Sequence, residues 1–310
     1  KARHLEVPGL AGLFSKYVCL QEHMSEPTMG VSGGRPASAL PRPQNEAGDA
    51  MEIYIRPTAD DASVVVADHI EAAIREADGG PVTLGLATGS SPIAAYDELA
   101  RRHRDEGLSF ANVTVFMLDE YVGLSPEHPQ SYARFIREHL VEKVDLDTAK
   151  VFCPRGDTGD PVAEAARYDA AIKDAGGVDL QLLGVGATGH IGFNEPGTSL
   201  ASRTHLVTLT PKTIADNSRF FDSKDDVPIH AISQGVGTIR EARKLLLIAT
   251  GENKAEAVRQ TIEGGVSARW TSTALQLHED ATIVVDSSAA SKLDYLDYYR
   301  FIDANRPEKK

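Results

Sequence analysis

From residue 51 onward, short apolar runs alternate with longer stretches of helical periodicity, and this alternation constrains the fold more than any other feature of the chain. Runs at 52–55, 82–87, 113–118, 180–185, 245–249 and 282–285 are rich in Val, Ile and Leu and are flanked by Gly, Pro, Asp or Thr, as short strands are. Their apolar character is nearly continuous, which suits strands covered on both faces. Between them, 60–76, 92–106, 131–141, 161–175 and 255–263 read as helices. The alternation implies an α/β fold built on a doubly wound, mostly parallel sheet of Rossmann-like form, joined by right-handed crossovers. Residues 205–232 break the rhythm, with the patches HLVTL and IHAI set around a polar loop. They read either as extra strands or as a lid segment over the site.

Residues 1–50 differ from the rest. They hold five Pro and six Gly, and the stretch 30–50 has the composition of a loop-rich segment. Residues 10–20 could form a short amphipathic helix. The expectation is a disordered N-terminal extension over 1–50, followed by a single α/β catalytic domain over 51–310.

Composition excludes several function classes. A formal net charge of −13 argues against nucleic-acid partners and against anionic membrane surfaces. It also requires any phosphate site to be local, made of a few cations and backbone N–H groups. Two cysteines, Cys19 and Cys153, make no disulfide framework, and no Cys/His cluster suggests a metal. No apolar run approaches the ~20 residues of a membrane span, and no signal pattern opens the chain. A soluble, cytoplasmic protein without metal or other cofactor is expected.

In an open α/β sheet, ligands bind beyond the carboxyl ends of the strands. Four segments stand there or nearby. The first, Thr88-Gly89-Ser90-Ser91-Pro92, follows the run 82–87. Serines able to cap and a Pro suited to a first turn make it either a plain helix start or an anion site on helix N–H groups. The second, Asp119-Glu120-Tyr121, follows 113–118 and is either a solvated turn or a source of general acid/base chemistry. The third runs from Gly184 to Gly197, with five glycines and, five residues apart, His190 and Glu195. The glycines imply close backbone approaches, and the His could interact with the carboxylate or be structural. The fourth is the cation pair Arg219 and Lys254, which would satisfy the phosphate requirement if the two converge on the Gly89 loop.

Taken together, these segments carry a resemblance. GHIGFNEPG at 189–197, LDEYVGL at 118–124 and HPQSY at 128–132 closely resemble the glucosamine-6-phosphate deaminases. The likeness extends through TGSSP at 88–92, LASRT at 200–204, NSRFF at 217–221, GVGTI at 235–239 and WTSTALQLH at 270–278. It spans nearly all of 51–290 in family order and leaves 1–50 unmatched. The 6-phosphogluconolactonases share the fold and a related loop, but lack the HIGFNEP continuation.

The resemblance implies a reaction without cofactor: ring opening of an amino sugar phosphate, proton transfer between C2 and C1 through an enolamine, and release of ammonia. It implies Asp119 as the base, His190 as the group assisting ring opening, and Glu195 as the residue orienting or charging His190. The phosphate would sit on Thr88, Gly89, Ser90, Ser91, Arg219 and Lys254, with Tyr132 nearby and Glu120 in support. Relatives carry Asp or Asn two residues before the histidine. Here the residue is Thr188, which cannot supply a charge and leaves Glu195 as the carboxylate on His190. Regulated relatives place basic residues after LASRT to grip the phosphate of an N-acetylated activator. Here His205 and Val207 stand in that strand, so no such activation is expected. Regulated members are hexamers and others are monomers, so a homo-oligomer stays open. So do a deaminase for galactosamine 6-phosphate, a sugar-phosphate lactonase, and a non-catalytic sugar-phosphate sensor.

Overall fold

Each of the six apolar runs forms a strand in the computed structural model, which describes residues 51–306. In chain order the elements are β1 (Glu52–Arg56), α1 (Ala59–Glu76), β2 (Val82–Leu86), α2 (Ile93–Glu106), β3 (Val113–Met117), β4 (Asp119–Tyr121), α3 (Tyr132–His139), β5 (Val151–Phe152) and α4 (Pro161–Asp174). There follow β6 (Leu180–Gly184), β7 (His205–Thr208), α5 (Pro211–Asn217), β8 (His230–Ser233), α6 (Val236–Arg240), β9 (Lys244–Ala249), α7 (Ala255–Glu263), β10 (Ala281–Asp286) and α8 (Leu296–Ala304). The expectations for residues 1–50, including a helix over 10–20, lie outside the described residues.

Seven strands form one sheet in the order β1-β10-β9-β6-β2-β3-β5, with every pairing parallel. Apolar side chains alternate between its faces, as the strand period requires. Val113, Val115 and Met117 of β3 join α1 and α2 residues such as Val66, Ile70, Tyr96 and Leu99 in one core. Phe116 of the same strand faces the other core, with Tyr168 and Ile172 of α4 and Val258 and Ile262 of α7. Burial on both sides explains why the strands read as continuous apolar runs.

The winding direction reverses at β2 and β6, which are neighbours in register at Leu84↔Leu180 and Gly85↔Gln181. From β2 the chain proceeds to β3 and β5 on one side. From β6 it proceeds to β9 and β10 on the other. The loops leaving β2 and β6 therefore diverge around a crevice, the place where such sheets bind ligands. These are the loops that contain Gly89 and His190.

Three features differ from the sequence reading. Asp119–Tyr121 is a strand and not a turn: Leu118 N–H still bonds to Leu86 O at 2.9 Å, while Gln234 N–H donates to Leu118 O at 2.9 Å. The chain thus steps directly from the large sheet into a small antiparallel one, β4-β8-β7. Residues 205–232 supply the other two strands of that sheet, with α5 between them. Second, the serines of the Gly89 loop do not cap α2, whose N-cap is Pro92 with no side-chain hydrogen bond. Third, β5 and α8 were not among the elements read from the sequence. Two residues are too few to show a period, and α8 is held by a specific contact: Asp303 accepts from Ile55 N–H at 3.1 Å and from Arg56 Nη1 at 2.5 Å, covering part of the sheet's β1 edge.

Candidate active site

The crevice at the reversal is a cleft with a volume of ≈ 780 Å³. Its wall includes Thr88, Gly89, Ser90 and Ser91 after β2, Asp119 and Tyr121 of β4, Tyr132 of α3, and Gly186 and His190 after β6. Lys212, Thr213 and Arg219 of α5 and its C-terminal turn line it too, as does Lys254 just before α7. Thr88, Gly89, Ser90, Ser91, Asp119, Tyr132, His190, Arg219 and Lys254 therefore reach the cleft wall as the sequence predicts, while Glu120, Thr188 and Glu195 do not. Thr188 and Glu195 stand directly behind His190.

Asp119 owes its position to the step between the two sheets. It pairs with Ser233 of β8, is 5% exposed, and its carboxylate accepts no hydrogen bond from the described residues. Burial first, and the neighbouring Glu120 carboxylate second, push its pKa up to about 8. A carboxylate poised in this way takes up a proton near neutral pH. Glu120, side by side in sequence, serves differently. It accepts the N–H groups of Tyr121 at 2.8 Å, Tyr132 at 3.1 Å and Ala133 at 3.0 Å, so it anchors the start of α3. Burial lifts its pKa to about 7, with those three donors pulling against the rise.

Behind Asp119, Tyr121, Tyr132 and Phe193 form an aromatic wall. Tyr132 stacks on Phe193 with ring centroids 6.0 Å apart, and Asn217 Nδ2 donates to the Tyr121 hydroxyl at 2.9 Å. Val207 of β7 packs into the same cluster with Leu209 and Ala231. His205 Nδ1 lies 2.7 Å from Arg203 O.

His190 sits over Gly186, where any side chain would strike the ring. Its Nδ1 is 2.8 Å from Thr188 Oγ1 and 3.3 Å from Glu195 Oε2. Burial alone would raise the Glu195 pKa, but bonds to His190, Thr213 and Thr210 outweigh it and hold the carboxyl at about 2. An ionised Glu195 cannot donate, so the imidazole proton belongs on Nδ1 and a lone pair on Nε2. Thr188 thus enters as a neutral hydroxyl touching both partners, 3.4 Å from Glu195 Oε2.

On the far side stand the cations. Burial lowers the Lys254 pKa; Asp216 opposes that, and the adjacent Arg219 and Lys212 add to it. Three positive groups thus gather within reach of one another in an acidic protein. Gly89, at φ +100°, turns the chain so that the start of α2 also meets the cleft.

Comparison with known proteins places this geometry. The family model described as glucosamine-6-phosphate isomerases/6-phosphogluconolactonase matches residues 57–284. The chain belongs to this family. It is 55% identical over 257 residues to a protein of Rhodococcus jostii (strain RHA1) named glucosamine-6-phosphate deaminase, covering 83% of this chain and 98% of that protein. A Corynebacterium aurimucosum protein of the same name is 54% identical over 256 residues, covering 83% and 99%. Among solved structures, a monomeric glucosamine-6-phosphate deaminase is 42% identical with a TM-score of 0.76, covering 78% of this chain and 99% of that one. The 6-phosphogluconolactonase of Trypanosoma cruzi, 20% identical with a TM-score of 0.63 and covering 79% and 97%, shares the fold.

The sequence reading of this family member missed Lys212, Asn217, Thr210 and Thr213. A signal for three of them was present. Thr210-Pro211 is a cap followed by a first-turn proline, which sets a helix start and so places 212 and 213 in its first turn. Asn217 stood in the NSRFF motif, but its role did not show there, because its partner Tyr121 lies 96 positions away.

Proposed function

We propose that this chain converts glucosamine 6-phosphate to fructose 6-phosphate and ammonia, with Asp119 as the base that moves a proton from C2 to C1. One observation carries the reading. A buried carboxylate without a hydrogen-bond partner among the described residues, its basicity raised, shares a cleft with an ordered imidazole and with a cluster of cations. The names of the Rhodococcus and Corynebacterium relatives support the substrate.

His190, with its lone pair on Nε2, accepts the anomeric hydroxyl proton as the C1–O5 bond breaks and passes it to the ring oxygen O5, so that C1 becomes an aldehyde and the imidazole is neutral again. Asp119 then takes the C2 proton and returns it to C1, passing through an enolamine. Water adds to the resulting C2 imine, and ammonia leaves as C2 becomes the ketone. The substrate phosphate sits on Thr88, Gly89, Ser90 and Ser91 and against Arg219, Lys254 and Lys212, where α2 N–H groups and positive charge coincide. Tyr132 holds the aromatic wall, and Glu195 with Thr188 orients His190.

The test is release of ammonia and fructose 6-phosphate from glucosamine 6-phosphate, with galactosamine 6-phosphate run alongside. Wild type releases both products in equal amounts, and Asp119→Asn loses about 10²–10⁴-fold in kcat, the scale of a removed general base. Activity confined to the galactosamine epimer would change the substrate. Silence on both would leave a sugar-phosphate sensor.

A further inference from the structure

We propose that the hydroxyls of Thr213 and Thr210 are positioning groups that lock Glu195 against His190, so that the first turn of α5 fixes the imidazole's tautomer and aim. The inference rests on the reading of His190 as the ring-opening group. Glu195 is 6% exposed and lies between two elements. Its Oε2 faces Thr188 and His190 on the glycine-rich loop. Its Oε1 faces α5, where Thr210 Oγ1 lies at 3.2 Å and Thr213 Oγ1 donates a shorter bond.

Proton bookkeeping separates the two threonines. Thr210 is the N-cap of α5, and its hydroxyl oxygen accepts Thr213 N–H at 3.2 Å. Helix capping therefore accounts for the Thr210 hydroxyl oxygen and for the Thr213 backbone, while the Thr210 proton goes either to Glu195 Oε1 or to Thr213 Oγ1 at 3.0 Å. Capping does not account for the Thr213 side chain, which is 4% exposed and spends its one proton on Glu195 Oε1. Without that donor, Glu195 Oε1 would keep only the longer bond from Thr210, and the cheapest remedy for an under-satisfied buried oxygen is rotation toward another donor. Rotation would take Oε2 away from Nδ1, and the imidazole could then carry its proton on Nε2, which is the wrong nitrogen for accepting one from substrate. His190 is the titratable group facing Glu195 from the loop, and α5 contributes neutral hydroxyls. The clamp thus works by direction and needs no further charge.

The experiment compares Thr213→Val, which keeps shape and removes the donor, with Thr213→Ser, which restores it. Thr213→Val should lower kcat tenfold or more with KM within about twofold, as for a lost charge-assisted hydrogen bond, while Thr213→Ser stays within about threefold of wild type. In a Glu195→Gln background, Thr213→Val should add less than about twofold, because both changes break one unit. Two-bond 1H–15N correlation spectra, with His190 assigned by His190→Gln, should show protonated Nδ1 in wild type and a shifted tautomer balance in Thr213→Val. Equal losses in the Val and Ser variants, additive losses in the double variant, or an unchanged tautomer would each overturn the clamp. If wild type releases no ammonia, the functional reading fails instead, and the tautomer spectra still decide the clamp. Thermal melts accompany each variant, and Thr213→Ala takes the place of Thr213→Val should the latter not fold.

Discussion

A Cβ at position 186 would collide with Nε2, Cε1 and Cδ2 of His190, and Gly186 N–H donates to the His190 carbonyl at 2.9 Å. Ring and backbone are both folded back onto this one residue. A single methyl there displaces the imidazole while touching neither Glu195 nor Asp119. Gly186→Ala is expected to lower kcat by about 10²-fold, the usual penalty for misplacing a catalytic group by an ångström, with a modest change in Tm; steady-state assays beside thermal melts check it. Asp119 makes a second residue-scale prediction. Its carboxylate must be ionised to accept the C2 proton, and its pKa stands at about 8 in the free protein. The kcat/KM profile should therefore fall as pH drops below about 8. Bound substrate brings an ammonium group beside the carboxylate and favours its charged form, so the corresponding limb in kcat should lie at lower pH. A kcat/KM profile flat from pH 6 to 9 would remove Asp119 from the rate-controlling chemistry.

At the scale of elements, legibility followed the range of the interactions. The six central strands and the helices covering them were readable because two-sided burial and amphipathicity are local patterns, set by neighbours a few positions apart. The sites after β2 and β6 were readable for a related reason, since glycines, a proline and a histidine after an apolar run mark a strand end. Illegible parts depended on distant partners: β4 exists because β8, over a hundred positions later, pairs with it, and α8 because Asp303 reaches Ile55 and Arg56. The serines after β2 misled, because capping letters followed by Pro do not dictate which residue ends up outside the first turn. β7 carries this scale's prediction. Val207 faces the small core with Tyr121 and Phe193, and His205 is turned onto a backbone carbonyl. A phosphate at that strand would meet an inward-facing apolar side chain and a histidine already engaged with the backbone. N-acetylglucosamine 6-phosphate should therefore leave rate curves on glucosamine 6-phosphate unchanged, and a change from sigmoidal to hyperbolic kinetics on its addition would refute this.

For the molecule as a whole, the catalytic requirement and the stability requirement pull in opposite directions, and pH separates them. Other buried or half-buried carboxylates here are held by cations and hydroxyls. Glu98, hydrogen-bonded to Arg101 and Arg102, is held at about 2, and Asp169 is held well below its usual range: burial pushes it up, but bonds to Thr238, Lys173 and Arg203 prevail. Such depressed groups stabilise the fold above their unfolded pKa, and that contribution is lost as pH falls through the folded value. Asp119 has the reverse sign. Its folded pKa is raised by burial, so the native state binds a proton that the unfolded chain has already released between about pH 4 and 8. Its contribution is greatest below the unfolded value and declines as pH rises through the folded one, a loss on the order of a few kcal/mol at pH 8 and above. Asn at this position keeps the shape and never ionises. Asp119→Asn should therefore unfold at higher denaturant concentration than wild type at pH 8.5, with the difference shrinking toward zero near pH 4. Urea titrations of both proteins across that range measure it directly. An Asn variant that is instead less stable than wild type at pH 8.5, with the deficit closing toward acid, would mean that Asp119 is a stabilised carboxylate like Glu98, and would remove the physical reason for assigning it the proton.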